Sequence, residues 1–269
     1  MKKGTLSFIG LGLYDERDIS IKGLEEINKA DKVFAEFYTA RLVGTSIEKL
    51  EKLFGKKIVV LNREDTEKGD LIIDSAEKEN TVFLTAGDSM TATTHVELRI
   101  RAVKKKIKTK IIHGSSVVTA VSGLLGLQNY KFGRITTLAY PQENYFPISP
   151  YNVIKENKIR GLHTLVLLDI QEDKKLYMTA NEGLKLFLKM EQKVKNKIFY
   201  KESVICVVAI AGSDKPIVRA GSIRELIDED FGKPFHSIVV PGHLHFMEIE
   251  ALKIFAQLPA YLEEKLQKI

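Results

Sequence analysis

The chain has 269 residues, which fits one large α/β domain or two modest ones, because single cores stop growing near ~250–300 residues. Hydrophobic residues make up 44% and charged residues 28%, which excludes a disordered chain, and no apolar run approaches the roughly 18 residues needed to cross a bilayer. The 41 Lys and Arg against 35 Asp and Glu leave a net charge of +6, a mild excess that would help recruit an acidic partner without identifying it.

Strand-like and helical patterns alternate from the start. "MKKGTLSFIG" carries a basic pair but runs straight into a strand pattern, so no signal peptide is expected. Leu6 to Leu11 reads as a buried strand ending in Gly10 and Gly12. Ile21, Leu24 and Ile27 then recur at helical spacing, with Asp18 or Ser20 placed to cap the start. "KVFAEF", a helix through Ile47–Phe54, "KIVVL", a helix through Leu71–Glu79 and the strand "TVFLTAG" follow. "TTHVELRIRAVKKK" reads as a helix, "KIIHG" as a strand, and "SSVVTAVSGLLG" as a helix opened by Ser115 or Ser116. This alternation argues for a mostly parallel sheet with helices on its faces.

The second half reads differently. "YPQENYFPISPYN" holds Pro141, Pro147 and Pro150 within ten residues and is expected to be a loop. "LHTLVLLDI" is a continuous apolar strand candidate, and Thr179 with Glu182 stands in capping-box spacing ahead of a helix carrying Leu184, Phe187 and Leu188. Strands are expected at Val204–Ala209, Ile217–Ala220 and Ser237–Val240, with a final helix from about His245 to Leu258. The shorter spacing of the late strands points to antiparallel members and a mixed sheet. The expectation is an α/β protein of two lobes, residues 1–113 and 114–269.

"FIGLGLYDERDIS", residues 8–20, invites comparison with the dinucleotide fingerprint. There the third glycine lets the helix pack on the strand, and the helix N-terminus holds the pyrophosphate. The G-x-G-x-x-G spacing puts Asp15 in that third position, and a carboxylate repels a pyrophosphate. The turn therefore shows only a close backbone approach at Gly10 and Gly12. In "FLTAGDSMTATTH", Asp88 lies just beyond the carboxyl end of a strand, where ligands of open α/β sheets sit. It suits a cationic or N–H-donating ligand, and it equally suits a helix N-cap. "IIHGSSV" and "VAIAGSD" repeat the pattern of strand, glycine and hydroxyl.

Cys206, the single cysteine, lies inside "SVICVVAIAG" and reads as a buried filler in a reducing compartment, so the expected location is the cytoplasm. The basic run Lys104–Lys110 has no interleaved aromatic residues. It reads as the solvated end of a helix, and no nucleic-acid partner is expected. His243 and His245 in "PGHLHF" lack the further ligands that a metal site needs, and no metal is expected. His95 and His113 read as structural residues beside the candidate loops.

"FIGLGLYDERDIS", "VFAEFYT", "GDSMTATTH", "YKFG", "GLHTLVLLDI", "YMTANE" and the pattern "RAGS…EDFG.P.H…VPG.LH" occur in order from about residue 8 to 247. Together they resemble the diphthine synthase family, of the tetrapyrrole-methylase-like, class III methyltransferases. The resemblance implies two α/β lobes with S-adenosylmethionine in the cleft between them, and a homodimer. By matching position it implies cofactor contacts at Leu13, at Asp88 and Thr91, and at Ser116 with Val117; from the second lobe it implies Leu168, Ala211 and His236. Ala86 and Ser89 stand where the family usually has prolines, and Thr91 where an aliphatic residue is common. The implied reaction methylates the amino group of a modified histidine on elongation factor 2. Alternatives are the same fold acting on a tetrapyrrole or ribosomal RNA, and a non-catalytic RNA-binding module. No residue is singled out by sequence as the base that removes the amine's proton.

Overall fold

The structure is a computed structural model that describes residues 4–38, 40–143 and 145–266, with only the backbone of Asp173 and Lys265. It divides into two compact units, Met1–Val117 with Gln171–Lys174, and Val118–Ile170 with Lys175–Ile269.

The first unit alternates strands and helices: β1 (Thr5–Gly10), α1 (Ile21–Asn28), β2 (Lys32–Glu36), α2 (Ile47–Phe54), β3 (Val59–Leu61), α3 (Arg63–Lys68), α4 (Asp70–Ala76), β4 (Asn80–Thr85), α5 (His95–Lys104) and β5 (Lys108–Ile112). Its sheet runs β3-β2-β4-β1-β5 with every pairing parallel. Ser20, one of the two expected caps, accepts the Gly23 N–H and starts α1. Ser46 opens α2 in the same way, and Gly55 closes it in the left-handed conformation. Leu6, Phe8, Phe83 and Ile72 pack on one face of the sheet, and Ile9, Val33, Leu84 and Leu50 on the other. Burial on both faces explains why the strands read as apolar runs rather than alternations.

Register decides where the loops emerge. Gly10 pairs with Thr85, and Ile9 with Ile112, so β1, β4 and β5 end level with one another. The turns that follow them share one carboxyl edge.

The second unit contains most of α6 (Val117–Leu125), then β6 (Thr136–Leu138), α7 (Ser149–Ile159), β7 (Thr164–Leu168), the first residue of the short strand β8 (Ile170–Gln171), β9 (Leu176–Tyr177) and α8 (Ala180–Val194). Beyond these lie β10 (Val204–Ala209), β11 (Ile217–Ser222), α9 (Ile223–Leu226), β12 (His236–Val240), α10 (Phe246–Ala256) and α11 (Ala260–Leu266). The main sheet is ordered β11-β10-β12-β7-β6. Only β6 and β7 pair in parallel within it, so the sheet is mixed as expected. Thr179 and Glu182 form the expected capping box at α8, which buries Leu184, Phe187 and Met190.

Several elements depart from the sequence expectation. The proline-rich stretch is not loop throughout, because α7 begins at Ser149 with Pro150 in its first turn, where a missing N–H costs nothing. α3, "REDTEK", has no apolar period and is set by Asn62, whose side chain accepts the Asp65 N–H. The final helix stops at Ala256, and α11 follows as a separate piece.

Candidate functional site

The carboxyl edge of the first unit's sheet is built on close backbone contact. A Cβ added to Gly10 would lie 2.5 Å from the Gly87 carbonyl oxygen and 2.6 Å from the Gly114 nitrogen. One added to Gly114 would lie 2.5 Å from the same oxygen and 2.7 Å from the Gly10 carbonyl carbon. Gly12 and Gly87 bond each other in both directions, with N···O distances of 3.2 and 2.6 Å. Three turns therefore meet where no side chain fits. Gly87 itself has φ of +74° and open space where its Cβ would be, so its glycine serves backbone conformation.

Asp88 fastens two of these turns together. One carboxylate oxygen accepts the Met90 N–H at 2.9 Å and the Thr91 hydroxyl at 3.2 Å. The other accepts the Gly114 N–H at 3.2 Å and lies 2.7 Å from Nδ1 of His113. Burial pushes the Asp88 pKa up, but the bonds from Met90, His113 and Thr91 outweigh it and hold the group below the usual carboxylate range. The carboxylate, 7% exposed, is thus ionised and spends its acceptor sites on its own chain. Its first role is to organise the edge. Beside it the hydroxyls of Thr85 and Ser89 are buried without a hydrogen-bond partner among the described residues.

The turn after β1 is already occupied by an anion of the chain. One oxygen of Asp18 accepts the N–H groups of Leu13, Tyr14 and Asp15 at 3.2, 2.6 and 3.1 Å. Asp15, in the third-glycine position, pairs with Arg17 at 2.7 Å. The Leu13 N–H is therefore engaged within the chain. Ser116 and Val117, both half-buried, follow Gly114 at the start of α6. Five of the sequence-predicted residues, Leu13, Asp88, Thr91, Ser116 and Val117, thus lie on these three turns.

The other three come together within the second unit. Ala209 pairs with His236 and Leu167 with Ser237, which sets Leu168, His236 and the turn holding Ala211 at one sheet edge. His236 is buried, and its Nδ1 accepts the Ala180 N–H at 3.1 Å, capping the start of α8. Burial lowers its pKa, and because Nδ1 accepts, the proton of the neutral ring sits on Nε2. Ile210 takes φ of +44°, a strained value for a β-branched residue, immediately before Ala211.

The rings of His95 and His245 have structural partners. His95 Nδ1 lies 3.0 Å from the Ser89 carbonyl, and its ring packs edge-on against Phe83. His245 caps α10 by accepting the Met247 N–H, while the His243 carbonyl accepts from Lys131.

The profile of the Tetrapyrrole (Corrin/Porphyrin) Methylases matches residues 5–227. The diphthine synthase of Methanocaldococcus jannaschii is 53% identical over 255 residues, covering 94% of this chain and 99% of that protein. The chain belongs to the diphthine synthase family. The diphthine synthase of Methanosarcina acetivorans is 50% identical over 265 residues, 97% of this chain and 99% of its own. A crystal structure of diphthine synthase superposes with a TM-score of 0.89 at 40% identity, covering 97% of this chain and 99% of that one. A diphthine synthase relative is a methyltransferase, and so is this chain. Sequence reasoning placed Asp18 only as a possible helix cap and missed its hold on three N–H groups, the close packing of Gly114 and the bond from His113 to Asp88. The only signals for them were an acidic residue after a glycine turn and a histidine–glycine pair after a strand.

Proposed function

We propose that the protein transfers methyl groups from S-adenosylmethionine to the amino group of the modified histidine precursor on elongation factor 2, giving diphthine. The carrying observation is the carboxyl edge of the first sheet, where Gly10, Gly87 and Gly114 meet and Asp88 ties the loops. Such an edge suits a small polar ligand. The unpartnered hydroxyls of Thr85 and Ser89 fit a donor with amino, carboxylate and ribose groups. A turn whose N–H groups are taken by Asp18 suits a ligand without phosphate. Leu13, Thr91, Ser116 and Val117 would hold the donor with Asp88, and Leu168, Ala211 and His236 are assigned by resemblance.

S-adenosylmethionine supplies a methyl group already activated by its positively charged sulfur. The chain's residues have to align the acceptor amine with that methyl and keep the amine unprotonated. Alignment alone supplies much of a rate enhancement of this kind. An amine near its ordinary pKa is mostly protonated at neutral pH, so proton removal is the step that needs a protein group.

The near full-length relatives carry the diphthine synthase name, which favours a protein acceptor over a tetrapyrrole or an RNA. A homodimer and a cytoplasmic location belong to the same reading. The first is supported by Phe246, Met247, Ile254 and Phe255, left exposed along α10, and the second by the lone, buried Cys206. Among the described residues no helix is long and apolar enough to cross a membrane.

The test incubates labelled donor with elongation factor 2 carrying the precursor histidine. Label on that histidine is expected, and label on RNA in its place refutes the reading. In calorimetry Asp88→Ala, which unties the two turns, is expected to weaken donor binding about tenfold or more. Unchanged affinity would show that the edge is not the donor site.

A further inference from the structure

His113 follows β5 at the carboxyl edge of the first sheet. Its side chain is 74% exposed, yet one ring nitrogen is fixed: Nδ1 lies 2.7 Å from the Asp88 carboxylate. Asp88 is in turn held on three sides by Met90, Thr91 and Gly114. Because that carboxylate is ionised and accepts only, the proton of a neutral imidazole resides on Nδ1. Nε2 then carries a free lone pair, and it has no partner among the described residues. A base aimed by a carboxylate, itself fixed by backbone N–H groups, is the arrangement expected of a group that moves protons. Asp88 is the one titratable partner of the ring among the described residues, and the neighbouring turns present Gly10 and Gly87, which carry no charge.

The geometry points to His113 as the general base of methyl transfer, with Asp88 as the residue that positions it. The inference rests on the proposed amine acceptor. Nε2 takes a proton from the substrate ammonium and becomes imidazolium, its Nδ1–H still on Asp88. The freed amine lone pair forms the new N–C bond to the methyl of the sulfonium donor. The S–C bond breaks, its electron pair returns to sulfur, and the positive charge passes from sulfur to nitrogen. The imidazolium releases its proton through its exposed face to water, ready for another cycle.

The experiment compares wild type with His113→Gln and His113→Ala, using labelled S-adenosylmethionine and precursor-bearing elongation factor 2. It reads kcat/KM across pH 5.5–9.5 and donor Kd by calorimetry. Both variants are expected to lose roughly 10²-fold or more in kcat/KM at pH 7, in the range general-base groups contribute. Their rates should climb about tenfold per pH unit as the amine deprotonates unaided, with donor Kd held within about threefold of wild type. Added imidazole should restore part of the rate of His113→Ala. A variant within about threefold of wild type, with the same pH profile, overturns the assignment. So does a donor Kd raised tenfold or more with an unchanged rate at saturating donor, which would make His113 a donor-holding residue. Wild-type protein that transfers no label to this acceptor overturns the proposed function, and the base assignment with it.

Discussion

Glu248, on the first turn of α10, is 1% exposed and accepts from four groups at once. One oxygen takes the Gln128 N–H at 2.9 Å and His163 Nε2 at 3.0 Å; the other takes the His245 N–H at 2.9 Å and the Lys131 ammonium. His163, fully buried, accepts the Gly242 N–H on Nδ1 at 3.0 Å, so its Nε2 carries the proton and the ring donates while neutral. Burial opposes ionisation of Glu248, but Lys131, Gln128, His245 and His163 outweigh it and pull its pKa from 4.5 to about 2. At ~1.4 kcal/mol per pH unit, that difference amounts to ~3 kcal/mol of folding stability. The folded pKa is depressed, so the contribution is complete above about pH 4.5 and is lost as pH falls from there towards 2. Glu248→Gln keeps the volume and one acceptor oxygen but cannot ionise. In urea unfolding above pH 6 it should be less stable than wild type by ~2–3 kcal/mol, and the gap should close as pH falls below about 4.5. Burial also lowers the His163 pKa while Glu248 raises it, so the acid lability of His163 below about pH 6.5 differs between the two proteins, and the same comparison in a His163→Gln background isolates the carboxylate. A gap that stays constant from pH 6 to pH 3 would refute the reasoning.

Gly10→Ala places a methyl against the Gly87 carbonyl and the Gly114 backbone, neither of which can rotate away. It should cost ~1–3 kcal/mol by thermal unfolding and abolish measurable donor binding; wild-type affinity would show that the close approach is incidental. Asp18→Ala removes the acceptor of three backbone N–H groups. Water replaces it in part, so a loss of about 2 kcal/mol is expected, with faster amide exchange confined to residues 13–15; uniform exchange would count against the cradle.

Much of the fold was legible because the local signals agree with one another. Ser46 before an amphipathic eight-residue helix and Gly55 after it leave little freedom in placing α2. The Thr179–Glu182 box does the same for α8. What escaped was set from outside the local pattern. Pro150 reads as a breaker among three prolines, but in the first turn of α7 the same ring favours the helix. β6 is three residues long and owes its existence to its parallel pairing with β7. The candidate edge was legible at Asp88, since an acidic residue after a strand and a glycine is a local pattern. The bond from His113 to Asp88 spans 25 residues of sequence and follows only from the level ending of β4 and β5 on either side of β1.

The glycine turn shows how a familiar motif can be used for a different end. In a dinucleotide site, the free N–H groups after the first strand wait for an external phosphate, and acidic residues there are excluded. Here the chain supplies its own anion, because the Asp18 carboxylate occupies three successive N–H groups. Its Cβ would sit 2.3 Å from one added to Gly12, so the glycine is required by the internal carboxylate as well as by its φ of +86°. Once those N–H groups are satisfied, Asp15 in the third-glycine position meets no phosphate and is balanced by Arg17. The turn therefore has its own anion and still brings backbone to the edge where Asp88 stands. An edge built in this way leaves no free N–H groups in that turn for a nucleotide phosphate.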